Sequence, residues 1–150
     1  MIIWIDADAA PRHVKEIVFR AARRLEVEAV LVANRPLKPP RHNPHVRAVC
    51  VPGGPDVADR HIVEHASPGD LAITADIPLA ADLVEHGVKV LDPRGDEYTA
   101  ENIGERLSVR DFMESLRGAG METGGPKPYG DRDRHAFAGA LDRILTAALG

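Results

Sequence analysis

Asp6 and Asp8 close the apolar run Ile2-Ile3-Trp4-Ile5, and Asp76 closes Leu71-Ala72-Ile73-Thr74-Ala75. Hard divalent ions such as Mg²⁺ take oxygen ligands, often a few carboxylates completed by water and substrate phosphate. An ion so held activates water and stabilises a leaving oxygen. Both runs read as strands, and alternate residues of a strand share a face, so Asp6 and Asp8 can converge. In an open parallel sheet, ligands bind beyond the carboxyl ends of the strands, where the strand order reverses. Asp56 and Asp59, three apart in the first turn of a predicted helix, can add to the cluster.

Each acid also has a plainer reading. Asp8 could cap the first helix, Asp76 the helix after Ile77-Pro78, and Asp56 the helix after Pro55, while Asp59 could be a solvated first-turn acid. Asp6 is the hardest to account for structurally, because it continues a buried strand, where an unpaired charge is costly.

The elements that must position these acids alternate. Residues 2–6 read as a strand. Pro11 suits a first helical position, and Val14, Ile17, Val18, Ala21, Ala22 and Leu25 form a helical stripe. Glu28–Ala33 and Val46–Val51 read as the second and third strands, separated by the proline-rich stretch from Asn34 to Pro44. A helix from Asp56 to Ala66, a fourth strand Leu71–Ala75, a helix from Pro78 to His86 and a fifth strand Val88–Leu91 follow. Beyond them, Thr99 and Ser108 look like N-caps, and Val109, Phe112, Met113 and Leu116 form an apolar stripe. A Gly/Pro loop with Gly124-Gly125-Pro126 leads to a final helix carrying Phe137, Leu141, Ile144 and Leu145.

Such alternation predicts an α/β fold of three layers, with C-terminal helices and a five-stranded, mostly parallel sheet in the order 3-2-1-4-5. That order sets strands one and four side by side and gathers Asp6, Asp8 and Asp76 in one crevice. Thr74 would orient a water or phosphate there. Arg94, after strand five, could clamp a phosphate or pair with Glu97. Asn34 and Arg35 open a basic loop with Lys38 and Arg41 at the same edge, where a polyanionic substrate would pass.

Composition sets bounds. The 150 residues suit one domain, 1–150, with 44% apolar and 28% charged content. A net charge of −4 offers no general attraction to nucleic acid, and one Trp, two Tyr and three Phe leave little for base stacking. The single Cys50, expected inside a strand, excludes an internal disulfide and a cysteine zinc site. No targeting signal, lipidation motif or membrane-length apolar run is seen, so the expected location is cytoplasmic, with no membrane partner. His61-Ile62-Val63-Glu64-His65 matches the H-x-x-E-H pattern of inverted zinc peptidases, but no third ligand stands out and a solvated helix explains it. The sequence does not name an oligomeric state.

Asp6-Ala7-Asp8-Ala9-Ala10-Pro11, Gly54-Pro55-Asp56-Val57-Ala58-Asp59 and Gly69 through Ala80 resemble the YaiI/YqxD family of bacterial proteins. Pro93-Arg94-Gly95, Arg110-Asp111-Phe112-Met113, Thr123-Gly124-Gly125-Pro126 and Arg132-Asp133-Arg134 extend the likeness over nearly the whole length. The family is remotely similar to PIN- and NYN-type nuclease domains, which carry one acid after the first strand, others on a mid-chain helix and one in a T-x-D motif. These fall here on Asp6, on Asp56 or Asp59, and on Asp76 with Thr74. The resemblance implies a PIN-like domain cleaving RNA with Mg²⁺ or Mn²⁺. Two departures are Ala10, where the family usually has Cys, and the unusual Asp56/Asp59 spacing.

Two other functions fit parts of the pattern. A strand ending in D-x-D begins haloacid-dehalogenase-like phosphatases, although those expect Thr or Val where Ala10 stands and a downstream lysine motif. A non-catalytic RNA- or protein-binding module is the third reading.

Overall fold

The computed structural model describes residues 1–125 and 127–150. Strands β1 (Ile2–Asp6), β2 (Glu28–Ala33), β3 (Val46–Cys50), β4 (Leu71–Ile73), β5 (Lys89–Leu91) and β6 (Glu97–Tyr98) form one sheet in the order 3-2-1-4-5-6. The first five run parallel, as expected, but β6 adds an antiparallel edge to β5. This corrects the five-stranded expectation. Two residues are too short for an alternation to be read, and β6 exists because a tight turn at Asp92–Asp96 folds it back.

One side chain braces that turn beside its backbone hydrogen bonds. The Oδ1 of buried Asp92 accepts the backbone N–H of Arg94 at 2.8 Å and of Asp96 at 3.0 Å. Gly95 adopts φ +94° there, a conformation glycine takes without strain.

Helices α1 (Arg12–Leu25) and α5 (Asp131–Leu149) cover one face of the sheet. The other is covered by α2 (Val57–His65) and α3 (Ile77–Glu85), with α4 (Ile103–Gly118) packed on α3. Strand alternation sorts the core between them. Ile3 and Ile5 join the α1/α5 side and Trp4 the α2/α3 side; Ala29 and Leu31 go one way, Val30 and Val32 the other. These strands are buried on both faces, as parallel strands in a three-layer fold are.

Several local expectations change. Ser108 is inside α4, which begins after Asn102; Thr99 pairs with Asn102, each side chain accepting the other's backbone N–H. Of the expected stripe, Val109 and Phe112 lie on the outside, 55% and 62% exposed, while Met113 and Leu116 are half-buried and Ile103 packs against the core. Cys50 is exposed, since β3 is an edge strand. Pro126 of the Gly124-Gly125-Pro126 turn lies outside the described residues.

Candidate functional site

The pairing of β1 with β4 builds the centre of the site. Ile5 aligns with Ile73, so the next residues, Asp6 and Thr74, leave the sheet side by side. Thr74 Oγ1 donates to Asp6 Oδ2 at 3.1 Å and accepts the backbone N–H of Asp76 at 3.1 Å. Asp76 is the N-cap of α3, and its Oδ1 accepts the N–H of Leu79 at 3.0 Å. The capping reading of Asp76 therefore holds, and it does not remove the residue from the site, because the cap uses one carboxylate oxygen and the side chain also hydrogen-bonds with Asp59.

Electrostatics tie α2 to the two strand ends. The Asp59 carboxyl is pushed up to about 6, first by partial burial and then by the charges of Asp76, Asp6 and Asp56. Asp6 is also raised, mainly by burial, with Asp76 and Asp8 adding to it and the Thr74 hydroxyl acting the other way. Asp76 acts on both Asp6 and Asp59, so the three acids share a field of negative potential, and perturbed carboxyl groups gathered in this way mark candidate functional sites. Asp56 stands at the N-cap position of α2 in a left-handed conformation, φ 61°, and makes no capping hydrogen bond.

Asp8 is placed otherwise than strand alternation suggests. β1 ends at Asp6, and Asp8 lies in the following turn. Its Oδ2 accepts the N–H of Asn34 at 2.8 Å and its Oδ1 lies 3.6 Å from Arg35 Nε. It does not cap α1, whose N-cap is Pro11. Asn34 and Arg35 meet Asp8 through these two contacts.

Arg94 is tied into the fold. Its Nη1 donates to Asp133 Oδ2 at 2.9 Å, its Nη2 to the Lys127 carbonyl, and its guanidinium lies over the Tyr129 ring. Asp133, not Glu97, is the acid it meets. His61 and His65 stack on one another at 4.0 Å, with Trp4 edge-on to His61.

Beside Asp76 a cleft of about 680 Å³ opens between α2, α3 and α4. That size suits a small-molecule or nucleotide-sized ligand. Asp59 and Asp76 line it together with Arg60 and Arg110. Periodicity left these two arginines unremarked as site residues. The signal available was the Arg110-Asp111-Phe112-Met113 motif itself, on a helix with no buried residue.

The whole chain can now be set beside known sequences. The profile of the "Uncharacterized BCR, YaiI/YqxD family" matches residues 4–147. The chain belongs to this family. A UPF0178 protein of Myxococcus xanthus is 58% identical over 146 residues, covering 97% of this chain and 95% of the relative. One of Bordetella petrii is 56% identical over 148 residues, covering 99% and 98%, and one of Halorhodospira halophila 55% identical over 145 residues, covering 97% and 95%. No solved structure matches. The YaiI/YqxD fold thus spans β1 to α5, and both strand-end acids lie inside the matched region.

The oxygen-only donor set of Asp6, Asp59 and Asp76 fits a hard divalent ion in kind. Among the described residues no three carboxylate, imidazole or thiol groups gather tightly enough to enclose an ion on their own. The fit is to an open site, of the sort Mg²⁺ occupies with one or two carboxylates, several waters and a substrate phosphate. Among the described residues no helix is long and apolar enough to cross a membrane.

Proposed function

We propose that this protein is a divalent-metal-dependent phosphodiesterase, with RNA as the substrate class its PIN-like pattern of acids favours. One observation carries the reading. Asp6, Asp59 and Asp76 come from three separate elements, the charge of Asp76 raises the proton affinity of both Asp6 and Asp59, and Asp59 and Asp76 line a nucleotide-sized cleft. Holding like charges together costs stability, and a bound cation offsets that cost.

Bound Mg²⁺ or Mn²⁺ would supply activation of water and stabilisation of the leaving oxygen. Asp6 and Asp76 are the residues to hold it, with Asp59 the adjacent carboxylate and Asp56 and Asp8 farther out. Thr74 fixes the Asp6 carboxylate through its hydroxyl and restrains Asp76 through its backbone N–H. Asp59, with its proton held to about pH 6, can accept one from a water or return it to a leaving oxygen. Asn34 and Arg35 stand where a strand of phosphates would leave the crevice. Arg94 secures the loop before α5.

The geometry disfavours a phosphatase of the D-x-D type. That chemistry needs both aspartates on one substrate, whereas Asp8 is turned to Asn34 and Arg35.

The test is cleavage of end-labelled single-stranded RNA in Mn²⁺ by the wild type and by a folded Asp6→Asn variant. The expected result is metal-dependent cleavage lost in the variant. Cleavage by Asp6→Asn at the wild-type rate would overturn the assignment. Metal-independent RNA binding without cleavage would point to a binding module.

A further inference from the structure

The cleft beside Asp76 carries two cations for which the acid cluster alone has no use. Arg60 comes from α2 and Arg110 from α4. Arg60 is exposed and has no ion pair among the described residues. Arg110 is held more firmly. Its Nη1 lies 3.2 Å from Asp111 Oδ1 and 3.3 Å from Glu114 Oε2, and its Nη2 lies 3.0 Å from Glu114 Oε1.

Those contacts use one edge of the guanidinium. A guanidinium has five N–H donors in a rigid fork. Nε and Nη2 form the other edge, and neither donates a hydrogen bond among the described residues, Nη2 only lying beside Glu114 Oε1. Two parallel donors in that geometry match two oxygens of one phosphate, and the match is bidentate and charge-assisted. Arg110 is half-buried, 34% exposed at its side chain, and it lines the cleft while its Nη atoms are tied to Asp111 and Glu114.

We propose that Arg110, braced from behind by Glu114, presents its free Nε/Nη2 edge to a phosphate lodged in this cleft, with Arg60 as the second cation. This rests on the phosphodiesterase reading and deepens it. It names the residue that holds a phosphate beside the Asp59–Asp76 pair and makes Glu114 a positioning residue. The ligand is a nucleotide or a strand end bearing a phosphate. Because Asp56, Asp59, Glu64, Asp76 and Asp82 share the lining, such an anion enters when a divalent cation is also bound.

The probe is adenosine 3′,5′-bisphosphate, which offers phosphates but no internucleotide bond to cleave. It is titrated by calorimetry into wild type, Arg110→Ala, Arg110→Lys and Glu114→Gln, all in Mn²⁺, after Mn²⁺ alone has been titrated into each. The expected result is wild-type binding weakened about tenfold or more in Arg110→Ala. Arg110→Lys recovers only part, as a point charge without the fork. Glu114→Gln weakens binding less than Arg110→Ala, and Mn²⁺ affinity is alike in all four. Bisphosphate binding equal in wild type and Arg110→Ala would overturn the phosphate grip. So would Glu114→Gln losing as much as Arg110→Ala, because the effect would then be one of helix structure. Mn²⁺ binding without bisphosphate binding in the wild type overturns the grip and leaves the metal site standing. Absence of Mn²⁺ binding in the wild type overturns the underlying reading as well.

Discussion

Thr74 Oγ1 lies 3.1 Å from Asp6 Oδ2, although 68 residues separate the two. This bond joins the carboxyl ends of β1 and β4, and the same hydroxyl accepts from the Asp76 N–H. Thr74 is buried, so its groups have no water to fall back on. Thr74→Val keeps the shape and removes both interactions. It should lower stability by about 1–3 kcal/mol, leaving a part-buried carboxylate oxygen and an N–H short of a partner. It should also raise the Asp6 pKa further, since the lost hydrogen bond favours the charged form. Urea unfolding and the pH dependence of Mn²⁺ binding check this, with Thr74→Ser expected to restore both.

Asp59 gives a pH dependence of definite sign. Its folded-state pKa is raised from 3.8 to about 6, so the folded protein holds this proton more tightly than the unfolded chain. The stability it contributes is fully present below about pH 4 and is lost as pH rises through about 6. Thermal melts across that window should show the wild type losing part of its stability relative to Asp59→Asn as pH rises. At pH 7 to 8 the Asn variant should be the more stable. Parallel pH profiles for the two proteins would contradict the acid cluster.

Gly95 meets the α5 backbone closely. A β-carbon there would stand 2.8 Å from the carbonyl carbon and oxygen of Ala136, at φ +94°. Backbone cannot step aside as a flexible side chain can, so Gly95→Ala should cost about 2 kcal/mol or more. Urea denaturation measures it, and loosening of the β5–β6 turn should release Arg94 from Asp133.

Asp70 closes the opposite edge of the sheet. Buried, it accepts the N–H of Ile2 at 3.0 Å, Trp4 Nε1–H at 3.1 Å and the N–H of Ser67 at 2.9 Å. Asp70→Ala strands three donors and should cost about 3 kcal/mol, with the change reported by Trp4 fluorescence. It should leave Mn²⁺ affinity unchanged, because this edge lies at the amino ends of β1 and β4, away from Asp6.

The order of the parallel strands, which sets the ends of β1 and β4 side by side, was legible in the chain, because long apolar runs and right-handed crossovers leave few topologies. The Thr74–Asp6 hydrogen bond was not, because Thr74 reads from the chain only as a residue to orient a water or phosphate. The placement of Asp8 was not. It lies two residues beyond the end of β1, where strand alternation no longer applies, and the N–H of Asn34, distant in sequence, draws it across. Arg94 could not be read either, since its partners Asp133 and Lys127 arrive from another element. The stripe on α4 had the spacing of a core face, yet Phe112 is outside. Spacing fixes which residues share a face of a helix but not which face meets the neighbour. Arg110 is the same lesson in reverse, a charge that looks like solvated surface and lines the cleft.

The central claim is that the ends of β1 and β4 form one cation site. Calorimetric titration of Mn²⁺ into the wild type, Asp6→Asn and Asp76→Asn tests it most directly, because Asn can still cap α3 and both variants should fold. The account predicts saturable binding in the wild type that is lost in both variants. Undiminished binding in either variant, or none in the wild type, would contradict it.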